Sequence, residues 1–154
     1  MEKMEKIAFA TDFSEGAELA FTQALDLAQR HKSELLVMHV LPPLTQPVPL
    51  LNELAMGDIP SRMKEDVKAA ALRELEEVYV KKVQSPTKVT SYLLEGDPAK
   101  TLAEFATRED IDLLVVGSTG LSGLAKAMFG SVASKVVQKV PCSVLVVRYK
   151  GNKS

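Results

Sequence analysis

The chain has little of what several classes of protein depend on. It contains one cysteine, Cys142, among 154 residues, which excludes an intramolecular disulfide and a metal site built from several cysteines. Its formal net charge is −1, so we expect no binding to nucleic acid or to a membrane surface. No apolar run approaches the roughly 20 residues of a membrane-spanning helix. The mixed charges of residues 1–6 are not those of a signal peptide, and the expected location is the cytoplasm.

Along the chain, segments in which apolar residues have the spacing of a strand alternate with segments in which they have the spacing of a helix. Short apolar runs predict five strands, at residues 7–11, 35–40, 87–94, 111–116 and 143–147. Helical spacing follows each of the first four strands, in one case after a proline-rich loop at 41–60. Strands that are apolar throughout, each followed by a helix, indicate a parallel sheet covered on both faces. We predict one α/β domain, residues 1–149, with an open doubly wound sheet, and a polar tail at 150–154.

Glycine and hydroxyl residues are concentrated just after the fourth predicted strand. Gly117 ends that strand, Gly120 follows it, and the pair 130–131 opens the next helical segment. Glycine lets backbone N–H groups approach an anion closely, and the start of a helix adds the positive end of its dipole. Ser118 and Thr119 add hydroxyl donors, as does the serine of the pair. This combination is typical of a phosphate-binding loop.

Two common nucleotide motifs are absent from the sequence. No glycine is followed by Lys and then Ser or Thr, as a Walker loop requires. The turn at 11–16 lacks the spaced glycines of the dinucleotide fingerprint. Ligands of open α/β sheets bind beyond the carboxyl ends of the strands, where the strand order reverses. Residues 11–12 and 117–120 follow the first and fourth strands, so both would face one crevice if those strands are neighbours.

The glycine spacing resembles that of a known family. The pattern Gly117-x2-Gly120-x9-Gly130-Ser131 is similar to the G-2x-G-9x-G-(S/T) signature of the ATP-binding branch of the universal stress protein (UspA-like) family. The segments 7–14, 39–40 and 141–147 also look like that family, so the resemblance covers essentially the whole chain. It implies a five-stranded parallel sheet in the order 3-2-1-4-5, which makes the first and fourth strands neighbours.

The resemblance also implies where an adenine nucleotide would bind. Asp12 and the backbone near Thr11 and Val40 would flank the base and ribose, residues 117–120 would pass under the ribose and first phosphate, and the next helix start would hold the outer phosphates. The implied ligand is ATP or AMP, with Mg²⁺ held mainly through phosphate oxygens and water. The predicted site has no protein metal ligand and no catalytic residue, and it consists of Thr11, Asp12, Val40, Val116, Gly117, Ser118, Thr119, Gly120, Gly130, Ser131, Val132 and Ala133.

Several of these residues also have a purely structural interpretation. Asp12 could accept hydrogen bonds from the start of the next helix, and Thr11 could simply end a strand. The pair 130–131 could simply begin a helix. His39 and Cys142 lie in apolar runs, and we interpret both as core residues, the histidine with a hydrogen-bond partner.

The sequence predicts a nucleotide-dependent stress-response module rather than an efficient enzyme. No general base is evident opposite the phosphate loop, so we expect little or no hydrolysis. The alternative is a slow ATPase or an adenylate-forming enzyme in which Asp12 assists the metal. A phospho-acceptor receiver domain fits poorly, because only Glu95 and Asp97 lie near the end of the third strand. The fifth strand, at the sheet edge in the implied order, predicts a homodimer through residues 142–148, and the sequence does not identify a further protein partner.

Overall fold

The structure is a computed structural model, and it describes residues 3–43, 61–118 and 130–149. The predicted tail and most of the predicted proline-rich loop lie outside these ranges. Among the helices inside them, none combines the length and the hydropathy that a membrane span requires. The described elements are, in chain order, β1 (Lys6–Ala10), α1 (Glu15–His31), β2 (Glu34–Leu41), α2 (Ser61–Val78), a 3₁₀ turn (Val80–Lys82), β3 (Val89–Glu95), α3 (Pro98–Arg108), β4 (Leu113–Gly117), α4 (Ser131–Lys139) and β5 (Ser143–Val147).

The strands form one parallel sheet in the order β3-β2-β1-β4-β5, as the family resemblance implies. Strand β1 is central, and its Phe9 lies beside Val37 of β2 and Val115 of β4. All three side chains are fully buried. A parallel strand with neighbours on both sides and helices on both faces offers few positions to solvent, which is why the inner strands are continuous apolar runs in the sequence.

Side chains that alternate along the strands pack into two hydrophobic layers, one on each face of the sheet. Phe9 and Val37 face α1 and the end of α2, where Phe21, Leu75 and Tyr79 complete the first layer. The second layer joins the opposite face of the sheet to α3 and α4, and its large members include Leu36, Leu102, Phe105, Leu114 and Val136. Helices on both faces confirm the predicted doubly wound arrangement.

Local sequence signals place the helix starts. Ser14 caps α1, and its Oγ accepts a hydrogen bond from Ala17 N at 3.2 Å. Asp97 caps α3 in the same way through Lys100 N at 3.1 Å, with Pro98 in the first helical position. Both caps satisfy a backbone donor that has no partner within the helix. The five strands also agree with their predicted bounds to within two residues at each end.

Helix α2 packs on the sheet mainly through its C-terminal end. Its apolar residues recur at helical spacing, yet only Leu75 is buried, while Met63 and Val67 are 46% and 38% exposed. Tyr79, which directly follows the helix, is also fully buried in the first layer. The seating of α2 on the sheet therefore depends on its last turn and on this tyrosine.

Candidate functional site

The carboxyl ends of β1 and β4 lie side by side, as a shared crevice requires. Ala10 near the end of β1 pairs with Val116 near the end of β4. The chain leaves β1 toward β2 on one side and returns to β4 on the other, so the strand order reverses between them. Open α/β sheets bind ligands at such a point. A cavity opens there, and we treat it as the candidate site.

Ten of the twelve predicted site residues line this cavity, and the other two, Thr119 and Gly120, lie outside the described residues. The cavity also has lining residues that the sequence does not predict, namely Ala10, Ala17, His39, Pro98 and Leu102. Pro98 and Leu102 come from the first turns of α3, which connects β3 to β4. Only the path of that crossover brings them to the site, and their local sequence carries no signal of it.

The start of helix α4 presents unpaired backbone donors to the cavity. Its cap residue, Gly130, has no side chain, in contrast to the capped starts of α1 and α3. The N–H groups of Ser131, Val132 and Ala133 have no acceptor among the described residues, and all three residues line the cavity. Unsatisfied N–H groups and the helix dipole together favour an anion at this position.

Another part of the cavity wall is apolar. Val40 and Val116 contribute from the ends of β2 and β4, and Pro98 and Leu102 contribute from α3. A concave site that combines apolar lining residues with a few polar groups suits an amphipathic small molecule. The arrangement can therefore hold a ligand that joins an apolar ring to an anionic group.

Asp12 combines a structural and an available oxygen. Its Oδ1 accepts a hydrogen bond from Ser14 N at 3.0 Å, which is the structural interpretation raised by its sequence position. Its Oδ2 has no partner in the described part of the chain, and the residue is half-buried and lines the cavity. One carboxylate oxygen thus shapes the turn while the other can accept a hydrogen bond from a ligand.

Thr11 is buried, and protein partners occupy all of its polar groups. Its N–H donates to Met38 O at 2.9 Å, and its carbonyl accepts from His39 Nδ1 at 2.7 Å. Its hydroxyl lies 2.5 Å from Tyr79 OH and accepts from Phe13 N at 2.9 Å. Thr11 therefore lines the cavity while serving as a structural anchor. His39 has the hydrogen-bond partner that the sequence predicts, but it is half-buried and lines the cavity instead of lying in the core.

Gly117 is closely packed between two elements of the fold. A Cβ atom at this position would lie 3.3 Å from the backbone C and O atoms of Gly16, in the first turn of α1. The absence of a side chain lets α1 approach the end of β4. The sequence explains this glycine by close approach of a ligand, and the structure adds a reason that the sequence could not supply.

Ser118 joins three separate segments of the fold. Its N–H donates to Val147 O at 2.9 Å, and its carbonyl accepts from Gly130 N at 2.6 Å. Its Oγ accepts from Tyr149 N at 3.3 Å, so the hydroxyl that the sequence predicts as a donor acts as an acceptor in this contact. The residue is buried and fixes the α4 start against the ends of β4 and β5.

Other reactive side chains do not form a second centre in the described ranges. No three residues of His, Cys, Asp or Glu converge there as a metal-ligand set. Cys142 is half-buried against the α3 and α4 layer and does not line the cavity. Burial raises the pKa of its thiol, which lowers the thiolate fraction and hence its nucleophilicity.

Comparison with known proteins supports the resemblance seen in the sequence. A family model described as the universal stress protein family matches residues 3–148. Universal stress protein Sll1388 of Synechocystis sp. is 33% identical over 151 residues, which cover 94% of this chain and 97% of that protein. The solved structure of MJ0577, a universal stress protein of Methanocaldococcus jannaschii, is 25% identical with a TM-score of 0.80 and covers 98% of this chain and 100% of its own. A universal stress protein crystallised in complex with cAMP is also 25% identical, with a TM-score of 0.67 and coverage of 97% and 100%.

Proposed function

Because the chain belongs to the universal stress protein family, we propose that it binds an adenine nucleotide, ATP or AMP, in the cavity beyond β1 and β4. The observation that carries this proposal is the start of α4, whose first three N–H groups have no acceptor in the described ranges and line a cavity that also has apolar residues. The relative crystallised with cAMP is consistent with a nucleotide ligand. The glycine signature at 117–131 resembles that of the ATP-binding branch of the family, which also favours an adenine nucleotide as the ligand.

The proposed pose assigns the phosphates to the α4 start and the base to the apolar wall. The N–H groups of residues 131–133 would donate to the outer phosphate oxygens, and the described part of the 117–120 segment lies beside them. Val40, Val116 and Leu102 would pack on the base, while Asp12 Oδ2 would accept from a ribose hydroxyl or from the base. Mg²⁺ would be held mainly by phosphate oxygens and water, which suits its reluctance to dehydrate.

We propose little or no hydrolysis for this site. Among the described residues, Asp12 supplies the only carboxylate of the cavity lining, and one of its oxygens is already bonded to the backbone. The described part of the lining holds one imidazole, that of His39, and its Nδ1 is bonded to the Thr11 carbonyl. The competing function is a slow ATPase or an adenylate-forming enzyme, in which Asp12 Oδ2 would assist the metal.

The cellular role that follows is a nucleotide-dependent stress-response module of the cytoplasm, with residues 1–149 as the nucleotide-binding domain. It would act by changing which protein partner it docks against, and that partner is not identified. We also propose a homodimer through strand β5, which lies at the edge of the sheet and whose residues 144–147 are half-buried. An unpaired parallel edge can add a second copy antiparallel to itself around a two-fold axis.

Mass spectrometry of small molecules released from the denatured, purified protein tests the ligand. Calorimetric titration with ATP, AMP, GTP and adenosine then measures the preference, and a phosphate-release assay measures turnover. We expect saturable adenine-nucleotide binding and turnover far below the roughly 1–1,000 s⁻¹ of typical enzymes. Absence of adenine-nucleotide binding would refute the proposal. Turnover above about 1 s⁻¹ that is lost in Asp12→Ala would establish the enzyme alternative.

A further inference from the structure

The buried Tyr79 contacts Thr11, the residue that directly follows β1 and lines the candidate site. The hydroxyl oxygens of Tyr79 and Thr11 are 2.5 Å apart, although the two residues are separated by 68 positions in the chain. The Thr11 hydroxyl also accepts from Phe13 N at 2.9 Å. Contact with Tyr79 therefore selects the side-chain rotamer of Thr11 in which its hydroxyl can also hold the backbone of the next turn.

The ring of Tyr79 is buried and closely packed at this position. It is 1% exposed, and its centroid lies 5.2 Å from that of Phe9, 4.9 Å from that of Phe21 and 6.0 Å from that of Phe13. Burial raises the pKa of its hydroxyl to about 12, so the phenol stays protonated at neutral pH. The phenol can therefore donate to or accept from the Thr11 hydroxyl at neutral pH.

The turn that this contact supports is unusual in its backbone. Phe13 has a φ of +63°, in the left-handed region that bulky side chains avoid. The turn keeps this conformation with local hydrogen bonds, from Phe13 N to Thr11 Oγ1 and from Ser14 N to Asp12 Oδ1. Asp12 Oδ1 is one of the two acceptors in this turn. The turn therefore also sets the direction of Asp12 Oδ2, which has no partner in the described part of the chain.

We propose that Tyr79 is a positioning residue for the nucleotide site. Its hydroxyl fixes Thr11, and Thr11 holds residues 11–14 in the conformation that presents Asp12 to the base and ribose. Tyr79 does not line the cavity itself, so it acts only through Thr11. Since Tyr79 directly follows α2, nucleotide binding is coupled to the seating of that helix. This inference rests on the proposed adenine-nucleotide site.

The central test is Tyr79→Phe, which removes the hydroxyl and keeps the ring among its aromatic neighbours. We expect ATP and adenosine to bind about 2- to 10-fold more weakly, as the loss of one intramolecular hydrogen bond predicts. Inorganic tripolyphosphate should bind unchanged, because the start of α4 is not altered. In the ligand-free protein, amide hydrogen exchange of Phe13 and Ser14 should become faster, while exchange in β1 stays the same.

A matched control and a double-mutant cycle separate positioning from general destabilisation. Tyr92→Phe removes a hydroxyl from a tyrosine of β3 that packs on Phe105 in the opposite layer, and it should leave all of these readouts unchanged. Thr11→Val should weaken adenosine binding in the wild type and have a smaller effect in the Tyr79→Phe background, since both changes break the same contact. Circular dichroism verifies that each variant is folded.

The outcomes are distinguishable from those that test the proposed function. Unchanged adenosine affinity in folded Tyr79→Phe overturns the inference, even if that variant unfolds at a lower temperature, and so do additive effects in the cycle. Unchanged exchange at Phe13 overturns it as well. If the wild type binds no adenine nucleotide, the proposed function fails, and the exchange measurement alone decides whether Tyr79 orders the turn.

Discussion

A proline at the start of α4 can remove one ligand donor without disturbing the helix. Ser131 is the first residue of α4, and its N–H has no acceptor among the described residues. Proline lacks this N–H and is favoured at the first helical position, where its fixed φ already matches the helix. The preceding Gly130 has φ −60° and ψ 156°, the extended conformation that a following proline requires. Ser131→Pro is therefore a nearly selective deletion of one backbone donor.

The expected size of the effect follows from the chemistry of that donor. A hydrogen bond to a charged group contributes about 1.5–3 kcal/mol, so ATP should bind about 10- to 150-fold more weakly to Ser131→Pro than to Ser131→Ala. The alanine variant lacks the hydroxyl and keeps the N–H, and it is the matched control. Stability should be unchanged or rise by up to about 1 kcal/mol, because proline restricts the unfolded chain.

Calorimetric titration with ATP and with adenosine, and urea unfolding of the same samples, measure both quantities. Adenosine affinity should not differ between the two variants, because adenosine has no phosphate to bind the α4 start. Equal ATP affinities for folded Ser131→Pro and Ser131→Ala would refute the assignment of the phosphates to this helix. A large loss of stability in the proline variant would show that the N–H has a protein partner.

Three further changes test the fold and its assembly. Gly117→Ala places a methyl group 3.3 Å from the backbone of Gly16. Overpacking costs about 1–3 kcal/mol and the restricted unfolded chain returns about 0.4–1 kcal/mol, so the free energy of unfolding in urea should fall by about 1 kcal/mol. Equal stability of the variant and the wild type would contradict this prediction. Gly96→Ala should lower the free energy of unfolding by about 2–3 kcal/mol, because Gly96 has a φ of +141° and a Cβ there would lie 2.6 Å from Thr101 Oγ1. A smaller loss of stability than in Gly117→Ala would contradict this prediction. Val146→Lys should convert the proposed β5 dimer to a folded monomer in sedimentation, and a wild-type monomer at tens of micromolar would exclude that interface.

Local signals in the sequence determined most of the secondary structure. Hydrophobic periodicity depends only on neighbouring residues, and it placed all five strands to within two residues at each end. The caps at Ser14 and Asp97 are also local, since each side chain bonds a backbone N–H three residues away. The strand order required the family resemblance, because periodicity does not report which strands lie side by side.

The sequence likewise predicted part of the candidate site, and the tertiary structure supplied the rest. The glycine spacing identified Gly117 and the start of α4 as parts of one loop region, and the order of the sheet brought them to the cavity beside Asp12. The sequence could not show that Gly117 also makes room for α1, that Ser118 is bonded to Tyr149 N, or that α3 supplies part of the apolar wall.

The contact between Thr11 and Tyr79 shows most clearly what only the tertiary structure decided. In the sequence, Thr11 is a residue that ends an apolar run, and Tyr79 is one aromatic residue at the end of a charged helix. The two residues are 68 positions apart in the chain. Their hydroxyl groups meet because the end of α2 packs against β1 in the first hydrophobic layer. Spacing along the chain encodes the contacts within an element, whereas contacts between elements depend on how the whole core packs.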